Sequence, residues 1–234
     1  MNLIFDLDDT LYNLMGPFQL VHEKLYADKT EADCTELFIQ SRIYSDEIMK
    51  AEKKGLILHE DCFYERIKRT YHDVGIEINR DDAETFEKLY REFQTQIEIG
   101  NGVEDLLDYC KENHIFIAIL TNGRPGPQHA KVVALNLHRW FDDAHIFISG
   151  AIGYQKPDPQ AFKYVEDTFK LNPEETWYVG DTYEADVIGS NQAGWHTVWF
   201  NHRNKQCPEK NRADVTVKSI EELKAFIEDQ NKKG

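Results

Sequence analysis

Asp6 and Asp8 stand two residues apart at the end of the apolar run Leu3-Ile4-Phe5, with Asp9 and Thr10 directly behind them. If that run is a buried strand, both carboxylates lie at its carboxyl end, where open parallel sheets bind ligands. Carboxylates packed at one spot repel one another, and a hard, oxygen-loving cation such as Mg²⁺ relieves the repulsion. An Asp-rich turn on the surface is the bland alternative. Three later segments that end in the same way weigh against it.

The first is Leu120-Thr121-Asn122-Gly123. A small hydroxyl and exposed backbone N–H groups just past a strand suit anion binding, and a glycine there lets the chain approach closely. The second is Gln155-Lys156-Pro157-Asp158-Pro159, a proline-stiffened loop that presents one lysine. Proline is favoured at a helix start, so Asp158 and Pro159 are expected to open a helix. The third is Trp177-Tyr178-Val179-Gly180-Asp181 followed by Asp186, the strongest echo of the opening segment. If the two Asp-ended strands are adjacent and parallel, Asp6, Asp8, Asp181 and Asp186 converge on one cation.

The elements that must position these groups show two textures. Residues 16–98 are helical in pattern. Phe86, Leu89, Tyr90 and Phe93 form one stripe, Phe63, Ile67, Tyr71 and Val74 another, and Phe18, Val21, His22 and Leu25 a weaker third. Leu37, Tyr44 and Ile48 suggest a longer helix ending near Gly55. From residue 99 onward strands alternate with helices. Ile115 to Leu120 is unbroken apolar sequence, as in a strand covered on both faces, and 146–148, 176–179, 197–200 and 215–217 are shorter candidates. Ser219 and Glu222 read as a capping box opening the last helix. The alternation implies parallel pairing with right-handed crossovers. The expected fold is therefore α/β: a Rossmann-like parallel core with helices on both faces, from residues 1–14 and 100–234, and an inserted all-helical domain over 15–99. The stretch from Asn201 to Asp214 is expected to be a solvated loop.

Composition bounds the function. A hydrophobic content of 41% indicates a folded globule, and a net charge of −15 disfavours nucleic acid and anionic membrane surfaces while leaving room for a small anionic ligand in a local positive pocket. The four cysteines are widely spaced, as for reduced thiols in a cytoplasmic protein. A strand from residue 2 leaves no room for a signal peptide, and no apolar run approaches the ~20 residues of a membrane span. The protein is expected to be a monomer or a homodimer. In a dimer, exposed aromatics of the helical block, or Trp195 and Trp199 near the sheet edge, could become buried. No Gly-x-Gly-x-x-Gly follows a strand, and no nucleophile elbow accompanies a histidine, so dinucleotide binding and serine or thiol hydrolysis lack support.

Taken together, the four segments resemble the haloacid dehalogenase-like hydrolase superfamily. Its motifs occur in this order: Asp-x-Asp-x-Thr at Asp6 to Thr10, a strand-ending Thr at Thr121, a lysine at Lys156, and Gly-Asp with a later Asp at Gly180, Asp181 and Asp186. The resemblance implies a phosphatase working through an aspartyl-phosphate. In it, Asp6 would be the nucleophile and Asp8 the general acid and then base. Mg²⁺ would be held by Asp6, the Asp8 carbonyl and Asp181, with Asp186 behind the metal. Thr121, the Asn122 backbone and Lys156 would hold the phosphoryl oxygens. The helical block would be a cap closing over the site, with hinges near 13–17 and 99–102. A halide needs no proton when it leaves, and dehalogenases of this family typically lack an acid at the Asp8 position, so the resemblance favours a phosphatase acting on a small soluble phosphate ester such as a nucleoside monophosphate or sugar phosphate. A sugar-phosphate mutase, a 2-haloacid dehalogenase and a non-catalytic binding protein are the alternatives. Arg42, Lys53 and His22 are polar residues of the block without an assigned role, and Tyr44 and Phe63 are read as core.

Overall fold

Six short apolar segments form strands in the computed structural model, which describes residues 1–207 and 210–232. They are β1 (Asn2–Phe5), β2 (Phe116–Thr121), β3 (Ile146–Ile148), β4 (Thr176–Gly180), β5 (His196–Phe200) and β6 (Val215–Val217). All neighbours pair in parallel, in the order β3-β2-β1-β4-β5-β6. The chain runs outward from β1 through β2 to β3, then returns to build the other half from β4. The crevice between β1 and β4, beyond their carboxyl ends, is thus the topological switch point, the usual ligand position in such sheets.

Ten α-helices accompany the strands among the described residues. Four precede β2 in the inserted block: α1 (Met15–Leu25), α2 (Cys34–Lys53), α3 (Cys62–His72) and α4 (Arg80–Gln94). The others are α5 (Val103–Glu112), α6 (Pro125–Ala134), α7 (Ser149–Ile152), α8 (Pro159–Phe169), α9 (Gly189–Ala193) and α10 (Ile220–Asn231). Side chains alternate between the faces of a strand. Ile4, Ala118, Leu120 and Tyr178 accordingly share one face and pack with Phe162 and Val165 of α8 and Trp195. Leu3, Phe5, Ile119 and Val179, all fully buried, point the other way, on the side where α5 and α10 pack together. This is an α/β fold with a Rossmann-like sheet.

By compactness the chain divides into residues 1–13 with 98–234, and residues 14–97. The second unit has its own aromatic core. Phe18 and Phe86 lie 5.5 Å apart by ring centroid, and Tyr26 and Tyr71 4.3 Å apart. His22 is buried there with Nδ1 3.0 Å from the Tyr71 hydroxyl, so it is a packed residue. Tyr44 is only half-buried, its hydroxyl donating to Asp73 Oδ2 at 2.6 Å, and is not core. No helix among the described residues is long and apolar enough to cross a membrane.

Other details differ from expectation. Trp195 and Trp199 are buried within the chain, since β5 is covered by β6 and is not an edge strand, so neither awaits a dimer partner. Ser219 does cap α10, accepting from Glu222 N at 3.3 Å, but the Glu222 carboxylate takes Lys218 N instead of the cap's own N–H. The reciprocal box forms at α4, between Asn79 and Asp82.

Candidate active site

Parallel register brings the four motif segments to one end of the sheet. Phe5 pairs with Ile119 of β2 and Val179 of β4, so the residues that follow emerge side by side. Asp6 extends the ladder by one bond, from its N–H to Val179 O at 2.8 Å. The carboxylate oxygens of Asp6, Asp181 and Asp186 lie within 4.8 Å of one another, and all three side chains are buried.

Lys156 sits at the centre of this cluster. Its Nζ is 2.7 Å from Asp6 Oδ1, 2.7 Å from Asp186 Oδ1 and 2.6 Å from the Tyr178 hydroxyl. An ammonium has three N–H donors, so these contacts saturate it. Tyr178 in turn donates to Leu120 O at 2.7 Å, which fixes its hydroxyl as an acceptor for the lysine. The lysine's backbone is fastened by Asn122, whose side chain accepts from Lys156 N at 2.9 Å and donates to Lys156 O at 2.8 Å. Asp158 caps α8 just behind, accepting from Gln160 N at 2.9 Å.

Asp186 uses both carboxylate oxygens, the second accepting from Thr182 N at 2.8 Å. The bend that allows this is a π-helical turn over Tyr183–Ile188, a local form frequent at functional sites. Gly180 is required beside it, because a Cβ there would overlap the Asp186 carboxylate.

Electrostatics follow from the crowding. Burial pushes the Asp6 carboxyl up to about 7, opposed by Lys156 and reinforced by Asp186 and Asp8. Burial likewise raises Asp181 to about 6, opposed by Lys205 and helped by Asp9 and Asp6. Asp186 is also raised by burial. Burial alone would lower the Lys156 ammonium, but the Asp186 and Asp6 charges outweigh it and hold the lysine protonated. The cluster therefore holds more carboxylate than its ammonium groups neutralise comfortably. Buried oxygen donors with excess negative charge fit a hard divalent cation of the Mg²⁺ type.

Asp8 has separate surroundings. Its Oδ1 accepts from Lys131 Nζ at 2.6 Å and from the Tyr12 hydroxyl at 2.5 Å, and its Oδ2 from Gln128 Nε2 at 3.1 Å. Burial would raise this carboxyl, but the Lys131 charge and these three donors bring it below the usual carboxylate range. The two N–H groups of Gln128 Nε2 are shared among Asp8 Oδ2, Thr121 Oγ1 at 2.6 Å and Asn122 O at 3.1 Å. Gly123 leaves room for it, since a Cβ there would meet Gln128 Cγ at 2.8 Å. Thr10, the last residue of the opening motif, has a buried hydroxyl without a hydrogen-bond partner among the described residues.

Most of the described loop after β5 is exposed, as expected, but two of its cations reach back to the motif carboxylates. Arg203 is nearly buried and grips Asp9 through Nε at 2.5 Å and Nη2 at 2.6 Å. Lys205 Nζ lies 2.6 Å from Asp181 Oδ2. The carboxylates left behind by the motif strands draw these cations inward. Pro208 and Glu209 of the same stretch lie outside the described residues. Sequence reading missed Tyr178, Gln128, Lys131, Arg203 and Lys205. For Gln128 and Lys131 a signal existed, because the two polar residues share the buried face of α6 with Val132.

The family model for haloacid dehalogenase-like hydrolases matches residues 1–194. The HAD-hydrolase YfnB of Bacillus subtilis is 25% identical over 231 residues, covering 98% of this chain and 96% of that one. Its magnesium-bound crystal structure superposes with a TM-score of 0.73, covering 97% of each chain. A glyceraldehyde 3-phosphate phosphatase of Pyrococcus furiosus is 25% identical, covering 98% of this chain and 93% of that one. A pyrimidine 5'-nucleotidase of Escherichia coli is 25% identical, covering 96% of both. With its motif strands converging on one carboxylate cluster and its first 194 residues matched by the family model, the chain belongs to the haloacid dehalogenase-like hydrolases.

Proposed function

We propose that the protein is a Mg²⁺-dependent phosphomonoester hydrolase of a small soluble metabolite, a nucleoside monophosphate or sugar phosphate, working through an aspartyl-phosphate. The carrying observation is that Asp6, at the switch point of the sheet, is held by a saturated lysine beside two further carboxylates. The phosphatase and nucleotidase relatives support the same substrate class. The four free thiols accord with a cytoplasmic setting. The helical unit, taken as residues 15–99, would serve as the cap of a core built from 1–14 and 100–234.

Asp6 would attack phosphorus in line, its carboxylate aimed by the Lys156 contact to Oδ1. Lys156, its three N–H groups already engaged, would act on the transferring oxygens through its charge, with the Thr121 hydroxyl and the Asn122 N–H as the hydrogen-bond donors. Thr121 accepts from Gln128, which leaves its own O–H proton to point at an anion. Phosphoryl transfer needs mostly positioning and charge stabilisation, which this donor set provides. Bound by Asp6, Asp181 and the Asp8 carbonyl, Mg²⁺ would supply neutralisation of the nucleophile and the phosphate. Asp186, with one oxygen taken by Lys156 and the other by Thr182 N, would hold the lysine and orient the shell.

Asp8 would exchange protons with the leaving alcohol and the attacking water. It stands as a carboxylate, so it would first take a proton from solvent or from a monoanionic ester, give it to the leaving alcohol, and then accept one from the attacking water. A phosphate dianion arriving beside it would raise its proton affinity by like-charge repulsion. Halide departure needs no such proton, so the donors gathered around Asp8 favour phosphatase over dehalogenase.

The test is phosphate release from a panel of sugar phosphates, nucleoside monophosphates and phosphoglycolate, in Mg²⁺ or EDTA, for wild type and Asp6→Asn. Metal-dependent release that vanishes in the variant is expected. A folded wild type that releases phosphate from no ester would overturn the proposal.

A further inference from the structure

We propose that Gln128 and Lys131 are positioning residues that hold Asp8 in line with the leaving group, an assignment that rests on the phosphatase reading above. They stand three apart on α6, a spacing that places both on one helix face. Both are buried, and both reach Asp8, 120 and 123 residues away in sequence. Tyr12 adds a third donor from the Asp8 side, one turn beyond it.

The carboxylate of Asp8 has one rotatable bond to its methylene and another to the backbone. Three donors on its two oxygens leave neither bond free to turn. The same Gln128 amide ties Thr121 Oγ1 to the site. One side chain thus sets the relative position of the proton-transferring carboxylate and the hydroxyl that would hold the phosphoryl group. Pre-set geometry of this kind is how proton transfer gains its rate advantage.

A part-buried ion pair such as Lys131 with Asp8 repays little of its desolvation in stability alone. Side-chain exposure is 10% for the lysine and 24% for the aspartate, so water screens the pair poorly. The pair holds a group in place for chemistry. Among the described residues no other lysine pairs with Asp8, since Lys156 and Lys205 are committed to Asp6, Asp186 and Asp181.

A positioning role for a general acid has a signature that a purely structural role lacks. An aryl ester leaves as a stable phenolate and needs little protonation, whereas an alkyl ester needs a proton to leave. The value of kcat/KM reports this first step alone. Lys131→Met and Gln128→Leu are to be assayed against p-nitrophenyl phosphate and against the best alkyl phosphate of the panel. The expected result is a fall of about tenfold to a hundredfold in kcat/KM on the alkyl ester, carried by kcat, with less than about threefold on the aryl ester. Lys131→Arg should recover most of the loss. Tyr12→Phe, which removes one hydroxyl from the cluster, should show the same preference at smaller size, and it serves if Lys131→Met fails to fold.

Equal losses on both esters by an active, folded set would overturn the assignment and leave the phosphatase reading intact, as would variants with unchanged kinetics. A wild type inactive on every ester would overturn both.

Discussion

The ammonium of Lys205 lies 2.6 Å from Asp181 Oδ2 and 3.2 Å from the Asp181 carbonyl oxygen. The Trp199 indole donates to that same carbonyl at 3.0 Å. A lysine from a loop thus balances charge on a carboxylate expected to bind metal, with a fluorescent side chain one bond away. In the proposed metal site, Lys205 and a divalent cation would compete for Asp181. The lysine is 38% exposed, so its ion pair is worth about 0.5–1 kcal/mol. Lys205→Ala is therefore expected to tighten Mg²⁺ or Mn²⁺ binding about two- to fivefold, read by calorimetry or by tryptophan emission. Unchanged or weaker affinity would show that the lysine does not oppose the metal.

Lys156 has the opposite character. Its removal leaves Asp6 and Asp186 buried without their shared cation. Stranding buried charge in this way costs about 3–5 kcal/mol. Lys156→Met is expected to lower stability by that order in metal-free buffer and to abolish turnover. Tyr178→Phe removes only the hydroxyl that steadies the lysine, for about 1–3 kcal/mol. Denaturant unfolding of the two variants side by side checks the ranking, which a stable Lys156→Met would contradict.

The raised carboxyls predict how stability follows pH. Asp6, pushed up to about 7, and Asp181, pushed up to about 6, hold protons in the folded state that the unfolded chain has already lost above pH 4. Where the folded state binds more protons, stability falls as pH rises. From pH 4 to 7 these two groups therefore erode metal-free stability. Below pH 4 the lowered Asp8 and Asp9 act in reverse, losing their contribution as they protonate. Unfolding midpoints in EDTA should peak near pH 4 to 5. Mg²⁺ should move the optimum upward, because it favours the ionised carboxylates. Asp6→Asn should raise the EDTA midpoint at pH 8 and not at pH 5. A metal-free optimum at pH 8 would contradict the charge excess inferred for the cluster.

Gly180 offers a packing test. A methyl group there would collide with the Asp186 carboxylate, which is pinned by Lys156 and Thr182 N and has no room to retreat. Gly180→Ala is expected to cost about 1–3 kcal/mol, with a loss of turnover in excess of its effect on folding. Chemical unfolding and phosphate release measured on one preparation separate the two effects.

Periodicity and local chemistry made much of the molecule legible in advance. The stripes over 16–98 become four helices because each buries one apolar face, and the unbroken run before Thr121 becomes a strand covered on both sides. Asp6, Thr121 and Asp181 were legible because polar groups at or directly behind the ends of apolar strands emerge at one sheet edge, whereas Lys156, on a proline-stiffened loop, and Asp186, in the turn after β4, were legible from the motif order. Their convergence required only parallel pairing. Loop composition gave the exposure of most of the stretch after β5 but not the contacts of Arg203 and Lys205. Arg203 and Lys205 look like ordinary solvated cations in sequence, and only the field of buried carboxylates explains why they turn inward.

What the sequence determined by itself is the set of groups and their order: carboxylates, hydroxyl and lysine at the ends of strands whose hydrophobic pattern permits one sheet. What only the tertiary structure decided is which cation meets which carboxylate. Lys156 divides itself between Asp6 and Asp186, Lys131 takes Asp8, Arg203 takes Asp9 and Lys205 takes Asp181. Charge pairing acts over a few ångströms and ignores chain separation. Strand order and register had to bring Asp6 to Lys156, Asp8 to Lys131 and Asp9 to Arg203, each more than a hundred positions apart, before those pairs could form, and Lys205 and Asp181, 24 apart, likewise meet only in the folded chain.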